Sequence, residues 1–218
     1  MQLTARAADV RMPFGQSFRV ASLSQMAEIL PLPGGALVRG GALVRVGVPT
    51  GRAAKIVLLV SVMWTSVAAV GAGASLLSYG WIAWLIALLG LVVTLWTFAI
   101  LVGESHLSVA FACLLLRIVG LGLASTRIFL AILALGQAVA FSDSLLFAFA
   151  TIAGSASSIF PGGLGISEAL AAVFAAATTT VPEAAFIAVA LNRLIGLGAA
   201  FIASSIALKG LGRTSSNG

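Results

Sequence analysis

Four apolar stretches dominate this sequence and leave it few ways to fold. They run from Ile56 to Leu77, Trp81 to Val102, Ile128 to Phe141 and Ala184 to Leu208. Each approaches or exceeds the roughly 20 residues that cross the hydrocarbon core of a bilayer. Charge content decides between a buried soluble core and a membrane. Only 8% of the residues are charged and 61% are hydrophobic, whereas a soluble domain carries roughly 25% charged residues to cover its wet surface. The expectation is an all-α, polytopic integral membrane protein, one transmembrane domain over residues 1–218, with no soluble part able to carry chemistry.

The net charge of +6 does not point to nucleic acid, because of where the charges stand. Arg6, Arg11, Arg19, Arg52, Lys55, Lys209 and Arg213 flank the apolar segments, the positions where lysine and arginine mark cytoplasmic loops. No basic run is interleaved with aromatics. The single Cys113 lies in an apolar run, which excludes a disulfide framework and a cysteine metal cluster. His106 sits in the polar loop Gly103-Glu104-Ser105-His106 and reads as a solvated loop residue. No metal, cofactor or catalytic residue is expected, and the chain does not read as an enzyme. Met1 to Glu28 is mixed and basic, without the apolar core and small-residue cleavage site of a signal peptide.

Two segments share one plan. The first runs from Pro13-Phe14-Gly15 through the breaker Pro31-Leu32-Pro33-Gly34-Gly35 to Val48-Pro49. The second runs from Ala140-Phe141-Ser142 through Pro161-Gly162-Gly163-Leu164-Gly165 to Val181-Pro182. The offset drifts from 127 residues at the Phe14/Phe141 pair to 133 at Pro49/Pro182. This organises the chain into repeat unit one (about 10–77), linking spans (about 79–136), repeat unit two (about 137–208) and a short tail, 209–218. Internal duplication recurs in transporters. The pieces beside each breaker, 14–30 with 36–46 and 143–160 with 164–177, are short for spans. Proline and paired glycines do not continue a helix, so each pair is expected to turn back inside the membrane as a re-entrant hairpin.

Three spans between the hairpins, about 54–77, 79–103 and 112–140, would make the second hairpin enter from the side opposite the first. Leu107 to Ala140 is long for one span and carries Gly120 and Gly122; two short spans there would reverse the parity. The lysine and arginine bias places the C-terminus in the cytoplasm of a multi-pass inner (plasma) membrane protein.

Charged residues at membrane depth are the functional candidates, since each costs roughly 2.5–3.5 kcal/mol at the bilayer centre. Arg39 lies ten residues before Pro49, Glu168 about ten before Ala177 and Arg193 eleven after Pro182. Each distance is roughly 15 Å along a helix, near the midplane. A half-helix starting after Gly162, Gly163 and Gly165 offers unpaired N–H groups and a positive dipole end, which suit an anion. With Arg39 and Arg193 nearby, the fitting ligand is an anionic group such as a lipid phosphate. Glu168 would hold an arginine while the site is empty, or accept a cationic headgroup. The competing readings are an ordinary turn at Pro-Gly-Gly, a purely structural Glu168–Arg193 pair, and packed or interfacial roles for Arg117 and Arg127. Gly71-Ala72-Gly73 and Gly196-Leu197-Gly198 read as helix-packing surfaces.

The run Phe160-Pro161-Gly162-Gly163-Leu164-Gly165-Ile166-Ser167-Glu168-Ala169, followed by Val181-Pro182 and Arg193, resembles the signature of the membrane region of lysylphosphatidylglycerol synthases, a region that also occurs alone in flippase-like proteins. Pro31 to Arg39 resembles that family's Pro-x-x-x-Gly-x-x-x-Arg segment, and the resemblance covers about 10–208. It implies a polytopic inner-membrane protein that moves lipids or lipid-linked sugars between leaflets. The family's fused aminoacyl transferase domain has no counterpart here. Relatives usually carry further spans before the first Pro-Gly segment, implying a shortened member or a misplaced initiation site, and often carry charged residues where this chain has Leu58 to Trp64.

The leading expectation is therefore a flippase-like transporter of a lipid or lipid-linked molecule with an anionic headgroup, its partners being membrane lipids. One alternative is a secondary transporter of a small organic anion, which predicts a closed polar cavity rather than a sideways-open groove. Another is a non-transporting membrane subunit that scaffolds a lipid- or glycan-synthesis enzyme.

Overall fold

The computed structural model describes residues 1–28, 34–77, 80–156 and 163–212, with side chains as far as Ile206. Among them the fold is all-helical, in the order α1 Gln2–Ala7, α2 Phe14–Ala27, α3 Gly34–Arg45, α4 Thr50–Ser75, α5 Trp81–Glu104, α6 Leu107–Ala134, α7 Phe141–Ala156, α8 Ile166–Ala175 and α9 Pro182–Gly212. Four of these, α4, α5, α6 and the Pro182–Ile206 part of α9, are long and apolar enough to cross a membrane. Prolines fall where a helix tolerates them: Pro13 and Pro49 precede α2 and α4, and Pro182 opens α9, where its missing N–H costs nothing.

The stretch Leu107–Ala134 is one continuous helix that runs through Gly120 and Gly122. The third linking span therefore begins and ends several residues earlier than the expected 112–140. It stops because Gly136, at φ 75°, turns the chain: the Gly136 N–H donates to the Leu133 carbonyl and the Gln137 N–H to the Ile132 carbonyl. The short helix α1 was not anticipated. Its Ala5 and Ala7 are fully buried, and it packs against α4 and α6.

Helix α4 forms much of the core, burying Ile56 and Met63 completely. It packs along α5, where the Thr94 hydroxyl donates to Ser66 Oγ at 2.9 Å, a polar contact of the kind that joins helices in apolar surroundings. The opposite face of α5 is apolar and uncovered, with Trp81, Trp84 and Trp96 each more than 60% exposed. Such a surface suits hydrocarbon and would aggregate in water.

Four of the short helices pack in two pairs, α2 with α3 and α7 with α8. Glycines allow the close approach in both. A Cβ at Gly34 would stand 2.2 Å from the Ala27 carbonyl oxygen, and one at Gly163 would stand 2.2 Å from that of Gly154. Phe149 and Phe174 stack across the second pair at 6.2 Å between ring centroids. The breaker residues 31–33 and 161–162, and so the candidate Gly162, lie outside the described residues, as do the side chains of Lys209 and Arg213.

Candidate functional site

The second helix pair brings Glu168 to Arg193. Glu168 sits in the first turn of α8, and its Oε1 accepts from Arg193 Nη1 of α9 at 3.3 Å. Both side chains are nearly sealed, at 5% and 11% exposure. The other carboxylate oxygen accepts the Gly165 N–H at 2.8 Å. A carboxylate at that point satisfies an orphan donor and lies favourably in the helix dipole. The reciprocal half of a capping box is absent, since Gly165 has no side chain. The Gly165 N–H, expected from the sequence to face an external anion, is thus met by the chain's own Glu168. Gly165 and Gly163 adopt φ 83° and 73°, the left-handed region that glycine enters without strain.

Arg39 does not pair with Glu168. Its Nε–H donates to the Gly35 carbonyl at 2.9 Å and its Nη2 to Glu28 Oε1 at 3.1 Å. The Glu28 and Arg39 side chains are 41% and 28% exposed, so this ion pair is open where Glu168–Arg193 is closed. Glu28, at the C-cap of α2, stands on the helix that joins the two halves of the site. The packing of α2 against both α3 and α9 puts it there.

A cavity of about 170 Å³ opens beside this ion pair, walled by Glu28, Arg39 and Arg117 with Thr4, Ser24 and Gln25. Arg117 holds its guanidinium 5.5 Å from the centre of the Trp64 ring, a cation–π contact. Among the described residues it forms no ion pair. The cluster therefore sets Glu28 and Glu168 against Arg39, Arg117 and Arg193, with the Met1 ammonium lining the same cavity, and carries an excess of positive charge. Along α8, Leu164, Ile166, Ala169, Leu170 and Val173 line an open apolar groove of about 470 Å³ that reaches Gly165.

Sequence reasoning missed Glu28 and set Arg117 aside. Glu28 stands at the end of the polar N-terminal segment, only eleven residues before Arg39 across the breaker. The depth count that selected Arg39 and Arg193 also selects Arg117, ten residues into α6. Elsewhere, Arg52 of α4 pairs with Asp9 at 2.6 Å and with Glu104 of α5 at 3.6 Å, and Lys55 also pairs with Glu104. These contacts tie one end of the bundle. Among the described residues there is no cluster of histidine, cysteine and acidic side chains able to hold a metal ion.

The arrangement can hold a small anion against arginine in a site surrounded by apolar helices. Comparison with known protein families, with curated proteins and with solved structures finds no match to this chain.

Proposed function

We propose that the chain is a flippase-like membrane transporter, related to the membrane region of lysylphosphatidylglycerol synthases, which moves a lipid or lipid-linked molecule with an anionic headgroup between leaflets. The observation that carries this reading is the arginine-walled cavity set among apolar helices, with its uncompensated positive charge. A charge held at membrane depth without function is costly. The apolar groove along α8 supports a lipid over a soluble anion, because acyl chains need a path open sideways to the bilayer.

In this reading α2 with α3 and α7 with α8 are re-entrant hairpins of two repeat units. Helices of 14, 12, 16 and 10 residues rise about 21, 18, 24 and 15 Å, against a core of roughly 30 Å. The three long helices α4, α5 and α6 lie between the pairs, so the hairpins enter from opposite sides and the C-terminus is cytoplasmic. Arg39 and Arg193 rest on Glu28 and Glu168 while the site is empty, and a headgroup phosphate displaces a carboxylate as it enters. No step of this cycle makes or breaks a covalent bond.

Reconstitution tests it. Liposomes carrying the protein should expose an acyl-labelled fluorescent phosphatidylglycerol to an impermeant quencher faster than protein-free vesicles. Arg39→Ala should slow this at least tenfold while leaving the protein folded. No acceleration by the unmodified protein would defeat transport and favour the scaffold for a lipid- or glycan-synthesis enzyme.

A further inference from the structure

Two carboxylates stand in the site, and their settings are opposite. Glu168 lies in the first turn of α8, where the helix dipole favours a negative charge, and both of its oxygens accept a hydrogen bond. Glu28 lies at the C-cap of α2, the end of a helix where a negative charge is disfavoured. Among the described residues only its Oε1 has a donor, Arg39 Nη2 at 3.1 Å. The bare backbone of Gly35 admits that contact, since a Cβ there would stand 2.7 Å from Glu28 Cγ. The Glu28 side chain is 41% exposed beside the cavity, against 5% for Glu168, so a proton can reach it. We propose that Glu28 is a proton-coupling site: it takes up one proton as an anionic group displaces it from Arg39, and releases that proton when the anion leaves.

This rests on the transport reading for what the proton would drive, and adds the coupling ion. The cavity measures only about 170 Å³, so an anion on Arg39 and the carboxylate it displaced stay close together. Like charges that share a site raise the proton affinity of one of them. A phosphodiester is a far stronger acid than a carboxylic acid, so the proton goes to Glu28. The exchange conserves charge. One negative charge enters with the anion, one is cancelled on Glu28, and Arg39 remains a guanidinium throughout. The other charged or titratable groups facing Glu28 are Arg117 and Cys113 on α6 and the Met1 ammonium, while α4 contributes only Val60 to the wall. Arg193, on the α9 helix that packs against α2, is held by Glu168. Among the described residues none of these forms an ion pair with Glu28, so none takes the place of Arg39 when it leaves. A proton and an anion held together cross together, and a proton gradient then draws the anion to the side of higher pH.

Calorimetry counts the proton. The full chain in a non-ionic detergent is titrated with dihexanoyl phosphatidylglycerol and with glycerophosphoglycerol, in two buffers of different ionisation enthalpy, between about pH 5.5 and 8. Both phosphodiesters stay singly charged throughout, so any proton taken up goes to the protein. Binding should bring uptake approaching one proton per anion, and affinity should rise as pH falls, by up to about tenfold per pH unit. Glu28→Gln, which imitates the protonated form, should bind with no uptake and no pH dependence, and Glu28→Asp should keep both. The infrared difference spectrum of the unmodified protein should gain a protonated-carboxyl band on binding. No binding of either compound, or binding without uptake, would overturn the proposal. Uptake that survives in Glu28→Gln would also overturn it, by placing the proton on the Met1 amine. If Glu28→Gln does not fold, the absence of the carboxyl band overturns it instead. Glycerophosphoglycerol binding as tightly as the lipid, with the same uptake, would uphold Glu28 and defeat the lipid reading. Uptake without lipid movement in liposomes would uphold Glu28 and defeat transport. Lipid movement that ignores an imposed pH gradient would defeat the coupling and leave transport standing.

Discussion

Arg39 and Glu168 hold corresponding places in the two helix pairs with opposite charges. Each lies five residues after the glycine that abuts the preceding helix, Gly34 against Ala27 and Gly163 against Gly154. Their partners arrive differently. Arg39 takes Glu28 from its own pair, whereas Glu168 takes Arg193 from α9 and also caps Gly165. The first ion pair faces a cavity, and the second is sealed. A carboxylate with both oxygens occupied and almost no exposure fixes a helix end. A half-exposed ion pair beside an uncompensated arginine can exchange a partner. The two pairs thus differ: α7/α8 is latched by a sealed ion pair, and the ion pair of α2/α3 borders a cavity.

The division can be broken by substitution, and the largest effect is expected at the latch. Glu168→Ala leaves Arg193 buried without a partner and Gly165 uncapped, which should cost about 3–5 kcal/mol and appear as a large fall in Tm in detergent or as loss of folded protein. An unchanged Tm would make the second pair as open as the first. Gly163→Ala acts on the same pair through the backbone. A φ of 73° and the Gly154 carbonyl in the path of the new Cβ should cost about 1–3 kcal/mol, read in the same melting experiment. Glu28→Gln should be milder than either, with a smaller fall in Tm, because its ion pair borders a cavity and Gln can still accept from Arg39. It should also raise affinity for an anionic lipid by freeing Arg39. Weaker lipid binding in Glu28→Gln would mean that Glu28 orients Arg39 rather than competing with the ligand.

The ends of α4, α5 and α9 were nearly legible in the sequence, since uninterrupted apolar runs and flanking prolines have few other outcomes, whereas α6, with no proline at either end, begins and stops earlier than expected. Packing was legible in part. A Cβ at Gly73 would stand 2.5 Å from the Ala87 backbone, so Gly71-Ala72-Gly73 does meet another helix, as expected. Gly196 and Gly198 have nothing within 4 Å of such a Cβ, so among the described residues no helix of this chain packs on that stretch of α9. Periodicity and residue size identify a possible contact face but not whether a neighbour occupies it. The same limit governed the site. Depth along the chain singled out Arg39, Glu168 and Arg193, yet nothing in the spacing says that Glu28 closes onto Arg39 across a breaker. Nor does it say that Arg117 turns onto Trp64 and into a cavity. The six-residue α1 carries too little pattern to read, and its burial comes from the helices around it.

In the proposed function the two helix pairs turn back within the membrane from opposite sides, so that their charged residues meet at mid-depth. Side-specific labelling tests this in a Cys113→Ala background, where the buried native thiol no longer reports. Single cysteines replace exposed residues at the ends of each pair, Gly15→Cys and Arg45→Cys for the first, Ser142→Cys and Thr179→Cys for the second. With an impermeant thiol reagent, Gly15→Cys and Arg45→Cys should label only from the cytoplasmic side, and Ser142→Cys and Thr179→Cys only from the other. Labelling of Ser142→Cys and Thr179→Cys from opposite sides would contradict the re-entrant arrangement, and labelling of all four from one side would contradict its inversion.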